Sequence, residues 1–78
     1  MKAVVWSKDN CPQCVQAKSL LKLKGFEIEE RVIGQGPWTK DDLLRNVPFA
    51  RSVPQIFVDD EYVGGLTELK QRLTEDAY

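Results

Sequence analysis

The chain has 78 residues, with 12 acidic against 11 basic side chains, a net charge of −1, two cysteines and no histidine. That is the length of one small domain, 1–78, near the size at which a single core barely suffices. Near-balanced charge gives no electrostatic case for nucleic acid. Two cysteines are too few for a disulfide scaffold, and the missing histidine excludes Cys–His catalysis and most catalytic zinc sites within this chain.

No apolar run is long enough for a membrane span. The chain enters Lys2-Ala3-Val4-Val5-Trp6 directly, too short a lead for a secretory signal, so a cytoplasmic location is expected. Ala3 to Trp6 is β-branched and aromatic and reads as a buried strand. Ser7 to Asn10 is a polar loop. Pro12 suits the first position of a helix, where a missing N–H costs nothing. Cys14, Ala17 and Leu21 then share one helical face with Leu20 beside it, and Gly25 ends the helix as a left-handed cap. Phe26 to Ile33 alternates through Phe26, Ile28 and Val32 as a second strand. Strand, helix and strand at this spacing form a βαβ unit with parallel strands.

Gly34-Gln35-Gly36-Pro37 is a loop. Thr39 and Asp42 form a capping pair for a short helix running to about Val47, stopped by Pro48. Gln55 to Val58 is a third strand, Asp59-Asp60 a turn and Glu61 to Val63 a fourth strand, together a hairpin. Gly64-Gly65 breaks that strand. Leu66, Leu69 and Leu73 mark one face of a final helix, and residues 75–78 are expected to fray. The order β-α-β-α-β-β-α predicts a thioredoxin-like α/β fold: a four-stranded mixed sheet with helices on both faces.

The chemistry sits in Cys11-Pro12-Gln13-Cys14, at the mouth of the first helix. A thiolate is the nucleophile, and helix N-termini favour it because unpaired N–H groups and the macrodipole stabilise the anion. Cys11 at the cap receives most of this effect, and Lys8, three residues earlier, adds positive charge. Cys14 lies one turn inside on the same face. Cys11 is therefore the expected attacking thiolate and Cys14 the resolving thiol of a dithiol redox site. Half a zinc site is the bland alternative, but the chain offers no further cysteine or histidine to complete one.

Three segments taken together, Cys11-Pro12-Gln13-Cys14, Ser52-Val53-Pro54 and Gly64-Gly65-Leu66-Thr67-Glu68, resemble in order and spacing the signatures of glutaredoxins, over essentially the whole chain. The resemblance implies a glutathione-dependent thiol–disulfide oxidoreductase acting on protein disulfides and glutathione mixed disulfides. It implies a cis bond before Pro54, which would offer the Val53 backbone to an extended ligand as an edge strand does. Gly65 would allow close ligand approach. Thr67 and Glu68 would hold the γ-glutamyl end of glutathione, the hydroxyl and N–H meeting the carboxylate and Glu68 the ammonium. The family more often has aspartate at the latter position. Lys8 would face the glycyl carboxylate, and Arg51 matches a basic position near it. Gln13 departs from the common tyrosine and leaves an amide at the site edge. Trp38 is expected to pack on the sheet rather than line the groove.

Gln13 is also the feature favouring a rival: a glutaredoxin-like redoxin reduced by thioredoxin reductase. Thr67-Glu68 and the lack of that group's C-terminal tryptophan segment favour glutathione. A rival of another class is an iron–sulfur or metal-binding module shared by two chains, against which Pro12 counts mildly, and a redox-sensing adaptor is a third. No resident metal is expected. Expected partners are glutathione and disulfide-bearing proteins, with ribonucleotide reductase plausible at family level, and a monomer is expected because no apolar repeat suggests an obligate dimer.

Overall fold

A computed structural model describes residues 1–75. In chain order its elements are β1 (Lys2–Ser7), α1 (Pro12–Leu23), β2 (Glu27–Val32), α2 (Lys40–Asn46), β3 (Gln55–Val58), β4 (Glu61–Gly64) and α3 (Leu66–Thr74). The strands form one sheet in the order β2-β1-β3-β4. β1 runs parallel to β2 and antiparallel to β3, and β3 pairs antiparallel with β4. This is the mixed sheet expected from the sequence.

Local chemistry sets the boundaries. Cys11 is the N-cap of α1 and Pro12 follows in its first turn. At the other end Gly25 adopts φ +84°. The Gly25 N–H donates to the Lys22 carbonyl and the Phe26 N–H to the Leu21 carbonyl, both at 3.0 Å, which is the Schellman pattern. In α2 the Thr39 hydroxyl accepts from the Asp42 N–H at 3.2 Å, and the Asp42 carboxylate accepts from the Thr39 N–H at 3.0 Å. That reciprocal pair is a full capping box. Asp59 and Asp60, at φ 48° and 69°, supply the two left-handed positions a tight hairpin turn requires.

Strand ends differ from expectation by a residue. β1 gains Lys2 and Ser7, β2 loses Phe26 and Ile33, and β4 gains Gly64. Gly64 stays in the ladder opposite Ile56 at φ +123°. Glu75 caps α3, its N–H donating to the Gln71 carbonyl; the rest of the expected frayed end, 76–78, lies outside the described residues.

Two apolar layers flank the sheet. Between the sheet and α1 and α3 lie Ala3, Val5, Ala17, Leu21, Ile56 and Leu69, all fully buried, with Phe26 and Ile28 packed against them. Each leucine or isoleucine buried this way stabilises by about 1.5–3 kcal/mol. On the α2 face, Trp6, Leu43 and Val47 are buried. Trp38 meets Trp6 edge-on at 5.4 Å, and the Arg31 guanidinium lies 4.4 Å from the Trp38 ring centre. Trp38 thus packs against the sheet, as expected. Alternation in β1 explains the split: Ala3, Val5 and Ser7 face α1, while Val4 and Trp6 face α2.

Candidate active site

The βα turn after β1 carries the cysteines. Asn10, at φ 55°, bends the chain just before Cys11. Cys11 is 8% exposed and Cys14 1% exposed, the order expected of an attacking and a resolving thiol. Their sulfurs are bonded to each other, with the Cα atoms 5.2 Å apart. The Cys14 N–H donates to Cys11 Sγ at 3.2 Å. A backbone donor aimed at this sulfur favours its anionic form once the disulfide is reduced.

The segment before β3 comes up beside Cys11. Cys11 Sγ lies 4.0 Å from the Val53 carbonyl oxygen, and the Val53–Pro54 bond is cis. Two side chains brace this loop. The Gln55 amide donates to the Ser52 carbonyl at 2.8 Å, and the Tyr62 hydroxyl donates to Gln55 Oε1 at 2.6 Å. Burial, and then the nearby Glu68 charge, push the Tyr62 pKa up, so Tyr62 keeps the proton it donates.

Val53 is flanked by a groove on each side. A polar one of about 240 Å³ is lined by Gln13, Pro54, Tyr62, Gly65, Thr67 and Glu68. Leu66, Thr67 and Glu68 bring the first turn of α3 to it, and N–H groups of a first turn lack intrahelical acceptors. Glu68 is already engaged: Oε1 accepts from the Gly65 N–H at 2.7 Å and caps the helix. The tightest glycine is Gly64 rather than Gly65. A Cβ on Gly64 would meet Glu68 Oε1 at 2.8 Å, whereas one on Gly65 would find nothing nearer than 3.4 Å. The groove on the other side, about 200 Å³, contains Lys8, Arg51 and Val53. Lys8 also lines the cleft that holds Cys11 and Cys14. Lys8, Gln13, Arg51 and Thr67 are exposed, while Pro54 is buried and Val53 half-buried.

All ten residues singled out in the sequence therefore border this one end of the sheet. Sequence reasoning missed the Gln55–Tyr62 brace. Its one available signal was a polar residue opening an otherwise apolar strand, Gln55-Ile56-Phe57-Val58. It also missed Glu30, which lines the cysteine cleft. Lys18 Nζ and the buried Ser7 hydroxyl both donate to Glu30 Oε2 at 2.6 Å. Lys18 first, and then Ser7, hold the Glu30 carboxyl below its ordinary pKa.

The glutaredoxin family model matches residues 3–63. A glutaredoxin of Haemophilus influenzae is 37% identical, the match covering 96% of this chain and 93% of that protein. Glutaredoxin 3 of Escherichia coli is 32% identical over 83% of this chain and 77% of its own length. The solved structure of reduced Escherichia coli glutaredoxin superimposes with a TM-score of 0.82 at 32% identity, covering 99% of this chain and 98% of that one. With Cys11 on the cap of α1 and Cys14 in its first turn, the chain belongs to the glutaredoxin family and is a thiol–disulfide oxidoreductase of the thioredoxin fold.

Proposed function

We propose that this protein is a glutathione-dependent reductase of glutathione mixed disulfides and protein disulfides. The observation that carries this is the placement of the Val53 carbonyl 4.0 Å from Cys11 Sγ, with a polar groove leading from Val53 to Thr67 and Glu68. An extended tripeptide pairing with the Val53 backbone would lay its sulfur beside Cys11. Its γ-glutamyl end would reach Thr67 and Glu68, and its glycyl carboxylate Lys8 and Arg51. Gln13, Pro54 and Gly65 would form the walls.

With a glutathione mixed disulfide, the Cys11 thiolate attacks the glutathione sulfur and the target leaves as a thiolate. A second glutathione thiolate then attacks the Cys11-bound glutathione, giving glutathione disulfide and free Cys11. With a protein disulfide, Cys11 attacks one sulfur and the other leaves as a thiolate. Cys14 next attacks Cys11 and releases the second protein sulfur, leaving Cys11–Cys14 oxidised for two glutathiones to reduce. The positive end of α1 and the Cys14 N–H support the Cys11 thiolate. Substrates would be disulfide-bearing proteins, ribonucleotide reductase among them, met in the cytoplasm by a monomer.

Gln13, exposed on the polar groove, favours the second reading, reduction by thioredoxin reductase. One experiment decides. A small glutathione mixed disulfide is offered with glutathione and glutathione reductase in one arm and with thioredoxin reductase in the other. Turnover confined to the first arm is expected. Turnover confined to the second keeps the cysteine chemistry and overturns the glutathione site.

A further inference from the structure

The groove on the α2 side of Val53 holds more than the proposed glycyl end of glutathione needs. Its floor is apolar: Ile33 after β2, Leu43 and Leu44 of α2, and Ala50. Its rim carries Lys8, Lys40 and Arg51 and no carboxylate. What sets these cations apart is their grouping: Lys22, Lys24 and Lys70 also make no ion pair among the described residues, but none of them lines this groove. Lys2, Lys18, Arg31, Arg45 and Arg72 each pair with a carboxylate within 4 Å. Lys8, Lys40 and Arg51 make no ion pair among the described residues. Asp42, two residues from Lys40, is taken by the Thr39 cap and by Arg45. A chain of net charge −1 thus gathers three unpaired cations around one apolar pocket beside its redox cysteines.

We propose that this groove selects the protein substrate. It takes an apolar side chain flanked by carboxylates, on an extended segment adjacent to the substrate's reacting cysteine. The inference rests on Val53 as the pairing edge and deepens the proposed function by naming a substrate class. The volume of about 200 Å³ suits one side chain of leucine size. Neighbouring carboxylates would meet Lys40 and Arg51 at the rim, where complementary charge acts mainly on encounter rate and partner choice. Lys40 and Leu44 carry the selectivity, because the proposed glutathione contacts involve neither.

The test uses the whole protein, reduced beforehand and freed of reductant, so glutathione dependence has no bearing on the readout. Two peptides of equal length each carry one internal disulfide. One has leucine and two aspartates beside a cysteine; the other has serine and two lysines there. Reduction is followed as the single-turnover appearance of peptide thiols, two per protein disulfide formed. The acidic, apolar peptide is expected to react about tenfold faster at low salt, with the ratio falling as salt rises. Lys40→Glu is expected to bring the ratio down about fivefold. Glutamate suits the first turn of α2, so this variant keeps its helix. Equal rates for the two peptides in the parent overturn the proposal. So does a ratio that survives Lys40→Glu, or a fall in both rates together, because the groove would then not be what discriminates.

Discussion

Glu68 caps α3 and, in the proposed glutathione complex, also meets the γ-glutamyl ammonium, and two substitutions separate these tasks. Its Oε1 accepts from the Gly65 N–H at 2.7 Å and caps α3, which leaves the second oxygen for the γ-glutamyl ammonium. Glutamine keeps an acceptor for the cap and loses the charge; alanine loses both. A lost cap costs about 0.5–2 kcal/mol of stability. Removing only the negative charge from the first turn costs about 0.3–1 kcal/mol through the helix dipole. An exposed ion pair with the ammonium contributes about 0.2–1 kcal/mol, which converts to roughly 1.4- to 5-fold in KM. Glu68→Gln is therefore expected to raise the KM for a glutathione mixed disulfide by that factor, with kcat held and a stability loss confined to the dipole cost of about 0.3–1 kcal/mol. Glu68→Ala is expected to show the same rise together with a drop of about 1–2 kcal/mol in urea unfolding. An unchanged KM in the glutamine variant refutes the ammonium contact. An alanine variant as stable as the glutamine variant refutes the cap.

Tyr62→Phe removes the donor to Gln55 Oε1 and slackens the hold on the Ser52 carbonyl. It is expected to cost about 0.5–1.5 kcal/mol and to raise KM more than it lowers kcat; unaltered urea unfolding would contradict the brace. Glu30 sets part of the acid limb of stability. Its folded pKa lies below its ordinary 4.5, so its contribution is complete above 4.5 and fades as pH falls through the folded value. Glu30→Gln should then unfold more easily than the parent at neutral pH, with the gap closing in acid. A gap independent of pH would rule out this linkage.

Features encoded within one turn of chain were legible in the sequence. Pro12, Gly25, the Thr39–Asp42 box and the Asp59-Asp60 turn each act over six residues or fewer, so local spacing identifies them. Cys11 and Cys14 belong to the same class. Features depending on register were not. The β3–β4 pairing shifts between Ile56 and Phe57, placing Phe57 opposite Tyr62, and no local pattern announces that step or the hydrogen bond from Tyr62 to Gln55. Gly64 reads as a strand breaker but lies inside the ladder at φ +123°, a backbone conformation that glycine alone adopts readily, with the Glu68 side chain lying against it. The groove of Ile33, Leu43 and Lys40 needs the ends of β2 and α2 to meet the Val53 loop, a contact between segments far apart in sequence.

Charge shows the same division between composition and fold. Eleven basic and twelve acidic residues nearly cancel, and the total gives no reason to expect a field anywhere on the surface. Folding sorts them. On one side of Val53 the groove carries a single carboxylate, Glu68, and no cation; on the other it carries Lys8, Lys40 and Arg51 and no carboxylate. A ligand lying across Val53 as proposed would meet opposite potentials at its two ends, and an ammonium at one end with carboxylates at the other would fix its direction before any backbone pairing forms. Direction matters here because Cys11 Sγ lies beside the Val53 carbonyl: a strand laid the other way would pair with Val53 but present a different atom to the sulfur. In the proposed complex the exposed charges thus add little affinity singly, and their placement would select which sulfur reaches Cys11.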